Sequence, residues 1–162
     1  MTFRTFAAAL GLCLLAACPA SAQQSPPPYG APITLEMAKK VMSGAEAEAA
    51  RNNWAVFVVI VDSGGNVVML QRMDNAQLGS LVLAEGKART ALSFKLPTKA
   101  LEDAISAGGS GWRLAPLQNI TPLEGGLPIV SDGKIIGAVG VSGVLSAQDA
   151  QIARAGIQAL GR

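Results

Sequence analysis

The chain predicts an α+β fold in which helices and antiparallel strands occupy separate segments. Two pairs of apolar runs, Val56–Val61 with Val67–Gln71 and Leu127–Val130 with Ile135–Val141, are each joined by a short turn rich in Asp and Gly. Segments with apolar residues at helical spacing surround them, near 34–52, 78–94 and 146–160. The order helix, hairpin, helices, hairpin, helix lacks the regular strand–helix alternation of a parallel sheet. With 162 residues, half of them apolar, the chain suits one compact domain.

Residues 1–22 carry Arg4, an apolar run from Phe6 to Ala17, and then Ala20-Ser21-Ala22. This reads as a secretory signal peptide, because about a dozen apolar residues are too few to span a bilayer. Cleavage after Ala22 would leave Gln23 first. A second reading takes Leu15-Ala16-Ala17-Cys18 as a lipobox, leaving a lipoprotein anchored through Cys18. Either route places the domain in a periplasm or outside the cell, with membrane attachment only if Cys18 is lipidated. Residues 23–32 form a Pro-rich linker, and the domain is expected over 33–162.

Thr34 is placed to cap the first helix. Leu35, Ala38, Met42, Ala45 and Ala49 are its expected buried stripe, and Glu36 and Lys40 its i,i+4 pair. Asp62-Ser63-Gly64-Gly65-Asn66 turns the first hairpin. A long helix then runs over 78–94, and Pro97-Thr98 opens a shorter one ending near Ser106. From Gly108 to Glu124 the chain is irregular and holds Trp112, with a short extra strand expected within 117–121. Asp132-Gly133 in the second hairpin is the pair a type I′ turn requires, since both positions need positive φ. Gly137 and Gly140 in the following strand signal a bulge or a close approach by another element. Ser146 is the expected cap of the last helix and Asp149 its capping-box acid.

Composition narrows the chemistry. The chain has no histidine, and its two cysteines, Cys13 and Cys18, both lie in the leader. The domain beyond it cannot form a Ser-His-Asp or Cys-His triad, nor a His- or Cys-ligated metal site. Glu46 and Glu48 are two apart on a helix, so they face different sides and make a poor metal pair. Loss of Arg4 leaves the charge near neutral with no basic run, which argues against a nucleic-acid partner.

The segments GGLPI (125–129), IGAVGVSG (136–143) and QDAQIARAG (148–156), with VVIVDSGGNVVMLQRMDNA (58–76) and the KART helix around 87–94, resemble the GlcG/HbpS family. This is the haem-binding-protein-like DUF336 domain, found also at the end of some corrinoid adenosyltransferases. The resemblance covers the chain from about Ile33 onward. It implies a profilin-like or roadblock-like antiparallel sheet of five strands flanked by helices, with haem or another tetrapyrrole as ligand. Without His or Cys, a haem would rely on Met, Tyr, Lys or a hydroxyl, with apolar walls and cations for its propionates. Met69 and Met73 are candidate soft ligands or pocket lining.

The candidate polar constellation is Arg72, Asp74, Lys87, Arg89 and Thr90, with Lys87, Thr90 and Phe94 near one helical face. Arg72 and Lys87 suit a ligand carboxylate as fork and point charge. The plainer reading is an ion pair of Asp74 and solvated bases. Gly125-Gly126 could offer backbone N–H groups to an anion or simply shape the hairpin. Ser142 could line a pocket or satisfy a turn. The candidate ligand-binding residues are thus Arg72, Lys87, Thr90, Phe94, Gly125, Gly126 and Ser142; no metal or catalytic residue is assigned.

The leading reading is an exported, non-enzymatic small-ligand-binding protein that forms a homo-oligomer. A second is an isomerase- or hydratase-like enzyme on a small organic acid, using Asp62, Asp74 or Glu124 as base beside Arg72 or Lys87. A third is an accessory protein of a periplasmic oxidoreductase or sensor.

Overall fold

The computed structural model describes residues 25–161, so the proposed signal peptide and Cys18 anchor lie outside the described residues. Helix α1 spans Leu35–Arg51, strands β1 and β2 span Phe57–Asp62 and Val67–Arg72, and helices α2 and α3 span Ser80–Phe94 and Thr98–Ser106. A 3₁₀ turn at Gly109–Leu114 precedes β3 (Gly126–Ser131), β4 (Lys134–Ser142) and α4 (Ser146–Gln158). The strands form one antiparallel sheet in the order β2-β1-β4-β3.

Strand alternation sends β1 side chains to two faces. Phe57, Val59 and Val61 join Ala84, Ala88 and Ala91 of α2, while Val58 and Ile60 join α1 and α4. Helices therefore cover both faces of the sheet. In β4 the pairing skips Ile136, since Ile129 opposes Gly137 and Val130 opposes Ile135. That bulge reverses the alternation, so Ile135 and Ala138 face α2 whereas Ile136 and Val139 face α1 and α4.

Glycines set the layer spacing. A Cβ at Gly140 would stand 2.0 Å from the Ala84 carbonyl oxygen, so only a glycine lets α2 lie this close to β4. On the other face, α1 and α4 meet through Gly44 and Gly156, where an added Cβ would fall 2.6 Å from the Ala159 Cβ and 2.7 Å from the Val41 carbonyl oxygen. The expected turn at Asp132-Gly133 forms, with φ of 48° and 70°. Thr34 caps α1 as expected by accepting the Met37 N–H at 3.2 Å, and Lys40 pairs with Glu36 at 3.3 Å.

Several expectations are corrected. The sheet has four strands, not five. Residues 117–121 form no strand because they cross α2 away from the sheet edge, where the Thr121 N–H donates to Thr90 Oγ1 at 2.8 Å. Leu35 is exposed, and Val41 and Glu48 take places on the buried face of α1. The cap of α4 shifts by one residue, as the Leu145 N–H donates to Gln148 Oε1 at 3.2 Å, which leaves Asp149 for another role. The Pro-rich segment is tied down at Pro28–Gly30. There Ile135 N–H donates to the Pro28 carbonyl and Gly30 N–H to the Ile135 carbonyl, each at 2.8 Å. This segment takes the side of β4 that β1 vacates, as β1 pairing ends at Asp62 opposite Gly137.

Candidate functional site

Of the sequence-predicted residues, Arg72, Lys87, Gly125, Gly126 and Ser142 lie toward one end of the sheet, whereas the end of α2 that carries Phe94 lies toward the other, so they do not form one site. Phe57 stands in register with both Arg72 and Ser142, and Gly126 with Gly140. Lys87, on α2, is 1% exposed. Its ammonium donates to Asp149 Oδ2 at 2.8 Å and to the Val141 carbonyl at 3.0 Å. The pair joins α2 on one face of the sheet to α4 on the other. Gly125, at φ 129°, makes room for it, since a Cβ there would lie 2.9 Å from Lys87 Nζ. Burial pushes the Asp149 carboxyl above its ordinary value, opposed by the Lys87 ammonium and the Val144 N–H, which donates to Oδ1 at 3.2 Å.

The remaining predicted residues have local partners. Gly126 N–H donates to Thr98 Oγ1 at 2.9 Å, and that hydroxyl donates to the Leu123 carbonyl at 2.6 Å. Thr90 is buried under residue 121, Phe94 is half-buried at the end of α2, and Ser142 is buried at the end of β4. Arg72 is exposed. Its guanidinium lies 5.8 Å from the Phe57 ring centroid and donates to the Ala76 carbonyl at 3.4 Å. Asp62 is a turn residue, as its Oδ1 accepts the N–H groups of Gly64 at 2.8 Å and Asn66 at 2.9 Å. Burial would raise that carboxyl, but the hydrogen bonds from Asn66 and Gly64 outweigh it and hold it below the ordinary aspartate value.

A cleft of about 560 Å³ opens at this same end of the sheet. Its walls are the last turns of α1 (Glu46, Ala49, Ala50), the link to β1 (Asn53, Trp54, Ala55) and the segment from Gln71 to Asn75 that leaves β2. Local structure explains its shape. Asn53, at φ 54°, turns the chain sharply after α1, and the Trp54 N–H returns to the Ala49 carbonyl at 2.9 Å. The indole of Trp54 and the thioether of Met73 are partly buried against the main apolar cluster. Gln71 donates its amide to the Glu46 carboxylate, while Asp74 is exposed.

Of the residues expected in a binding site, the cleft includes Arg72, Met73 and Asp74. Trp54, Glu46 and Asn53 were missed by sequence reasoning. An aromatic directly after the helix-ending pair Asn52-Asn53 was the available signal for Trp54. Asp149 was missed as the partner of Lys87. The signal there was a lysine set among Ala84, Ala88 and Ala91 on an apolar helical face, where a charge needs a partner. Among the described residues, no group of three His, Cys, Asp or Glu side chains could hold a metal ion, and no helix is long and apolar enough to cross a membrane.

In its walls the cleft offers an indole, alanine methyl groups, one thioether and a guanidinium. Its volume falls within the range of small-molecule sites. Lacking imidazole and thiolate, it can supply an iron with only a thioether, a carboxylate or a weak amide ligand.

An antiparallel sheet of four strands with helices on both faces defines an α+β domain class with known members. The family model described as haem degrading protein HbpS-like matches residues 33–158. Protein GlcG of Escherichia coli K12 is 41% identical over 110 residues, covering 68% of this chain and 81% of that one. A crystallised double mutant of Streptomyces reticuli HbpS is similar at a TM-score of 0.75 and 32% identity, covering 91% of this chain and 99% of that one. The crystallised complex of PduOC with heme is similar at a TM-score of 0.74 and 32% identity, covering 79% and 94%. The chain belongs to the HbpS-like family.

Proposed function

We propose that this protein is an exported, non-enzymatic small-ligand-binding protein that holds haem or a related tetrapyrrole in the cleft between α1 and the end of β2. The observation that carries the reading is the grouping of Trp54, Met73 and Arg72 around one open cleft of suitable size. It gains support from a family relative that has been crystallised with heme. In this reading Trp54 and the α1 alanines provide the flat apolar wall. Arg72 is long and exposed, and its guanidinium is held only by a 3.4 Å hydrogen bond and the Phe57 stack, so it is free to turn to a propionate. Bound haem would supply redox-active iron. Lys87 takes no direct part, because its ammonium is committed to Asp149 and Val141, and it acts by fixing α2 against the strand ends.

Export rests on the leader pattern of 1–22, with lipidation at Cys18 as the alternative route. Assembly as a homo-oligomer is part of the proposal. It is supported by exposed Val67 and Leu70 on β2, by Leu78 just before α2 and by Val82 in its first turn.

Titration of haemin into the purified chain, followed at the Soret band, tests the ligand. A saturable one-to-one shift, weakened about tenfold by Trp54→Ala or Arg72→Ala, is the expected result; a factor of ten corresponds to about 1.4 kcal/mol. A response no larger than that of an unrelated apolar protein would overturn it. The organic-acid reading has one observation in its favour, Arg72 and Asp74 on the same cleft. Against it, Asp74 is exposed and Asp62 is spent in its turn.

A further inference from the structure

We infer that the Met73 thioether is the protein's own ligand to the iron, and that the cleft thereby favours ferrous over ferric haem. The inference rests on the haem reading above and names the donor within that site.

The cleft walls hold few electron pairs available to iron. Asn53, Gln71 and Asn75 offer amides, which are poor donors, and the Glu46 carboxylate already accepts from Gln71. Asp74 is exposed, so its carboxylate would have to shed water before it could bind. The Met73 sulfur carries no such cost, being uncharged and weakly hydrated.

Met73 is also held in place. Its N–H donates to the Val56 carbonyl at 3.0 Å, and its own carbonyl accepts the Ala76 N–H at 3.1 Å. Both of its backbone polar groups are therefore fixed, and its side chain packs against the same apolar cluster as Trp54. A partly packed side chain on a fixed backbone loses less freedom on binding than a fully solvated one. Met69 differs. Lying in β2, it pairs with Ile60 of β1 and takes no part in the cleft wall.

Donor chemistry gives the direction. A neutral, soft thioether favours the lower-valent, softer iron, and methionine ligation raises haem potentials. A cleft whose best-placed donor is Met73 should therefore hold ferrous haem more tightly than ferric.

The test is haem binding by the full chain in oxidised and reduced buffer, with Met73→Leu, Met73→His and Met69→Leu alongside. Leucine keeps the volume and removes only the sulfur, so folding is preserved. The expected result has three parts. The unaltered chain and Met73→Leu both give a saturable Soret shift but differ in their ferric and ferrous spectra. The ferrous-to-ferric affinity ratio of Met73→Leu falls about tenfold. Met73→His acquires a nitrogen-ligated spectrum, while Met69→Leu matches the unaltered chain. If haem binds and Met73→Leu changes neither spectrum nor ratio, Met73 is not the ligand and the haem reading stands. If the unaltered chain shows no saturable binding, both fall together.

Discussion

Lys87 and Asp149 carry the largest single-residue stakes in the molecule. Each is about 2% exposed at the side chain, so removing one partner strands a charge in the interior. Lys87→Met or Asp149→Leu alone should cost about 3–5 kcal/mol at neutral pH, measured by urea unfolding. The double variant should cost less than the sum, since both charges then leave together. The two single variants should differ in pH response. In Lys87→Met the orphaned carboxyl is raised further by burial, so its folded value lies above its unfolded one. Stability is then best at low pH and declines as pH rises through the raised value. Asp149→Leu should show no such recovery on acidification. Asp62 has the opposite sign. Its folded value is lowered, so its contribution is present above the ordinary aspartate value of about 4 and lost as pH falls through the lowered one. Asp62→Ala should therefore cost about 1 kcal/mol at pH 7 and progressively less in acid, read from urea midpoints across pH.

At the scale of elements, glycines in β4 and its turn separate two physical demands. Gly140 answers a demand for space. Its replacement by Ala would drive a methyl group onto the Ala84 carbonyl and the Ala88 nitrogen, pushing α2 off the sheet at a cost of about 1–3 kcal/mol. Gly133 answers a demand for backbone freedom. Nothing lies within 4 Å of a Cβ there, but φ is 70°, so Gly133→Ala should cost only about 1–2 kcal/mol of conformational strain. Thermal melts of both variants, with a structure of Gly140→Ala, would check this. The α2 axis should move in Gly140→Ala, whereas Gly133→Ala should lose stability with its layers unmoved. These roles were legible in part. Asp132-Gly133 named its turn outright, while the GxxG spacing in β4 marked a bulge or a close approach without saying which, or that α2 makes the approach. Ser146 has the chemistry of an α4 cap, but backbone geometry assigns that place to Leu145 and frees Asp149 for Lys87.

The whole molecule leaves one part of the sheet bare. Helix α2 lies over β1, β4 and β3, while Val67 and Leu70 on its side of edge strand β2 remain exposed. Leu78 and Val82 of the α2 region are 75% and 73% exposed. An edge strand with exposed apolar side chains favours association. Sedimentation of the chain should show a species larger than the monomer, and Leu70→Glu combined with Val82→Glu should shift it toward monomer with folding retained. An unchanged mass in that variant would place the contact elsewhere. The cleft was only half legible for a reason that belongs to this scale. Arg72, Met73 and Asp74 follow the hairpin in sequence, but Trp54 and Glu46 reach them only because α1 packs over the end of β2.

The sequence by itself determined the α+β class, both hairpins, the helices and the family, because period, turn chemistry and caps are set by residues close together in the chain. It also determined that no histidine serves the domain, since composition does not depend on folding. Only the tertiary structure decided the four-strand count, the pairing of Lys87 with Asp149 and the walls of the cleft. Those depend on segments far apart in sequence meeting across a sheet, and on charges whose need for a partner arises only once they are buried.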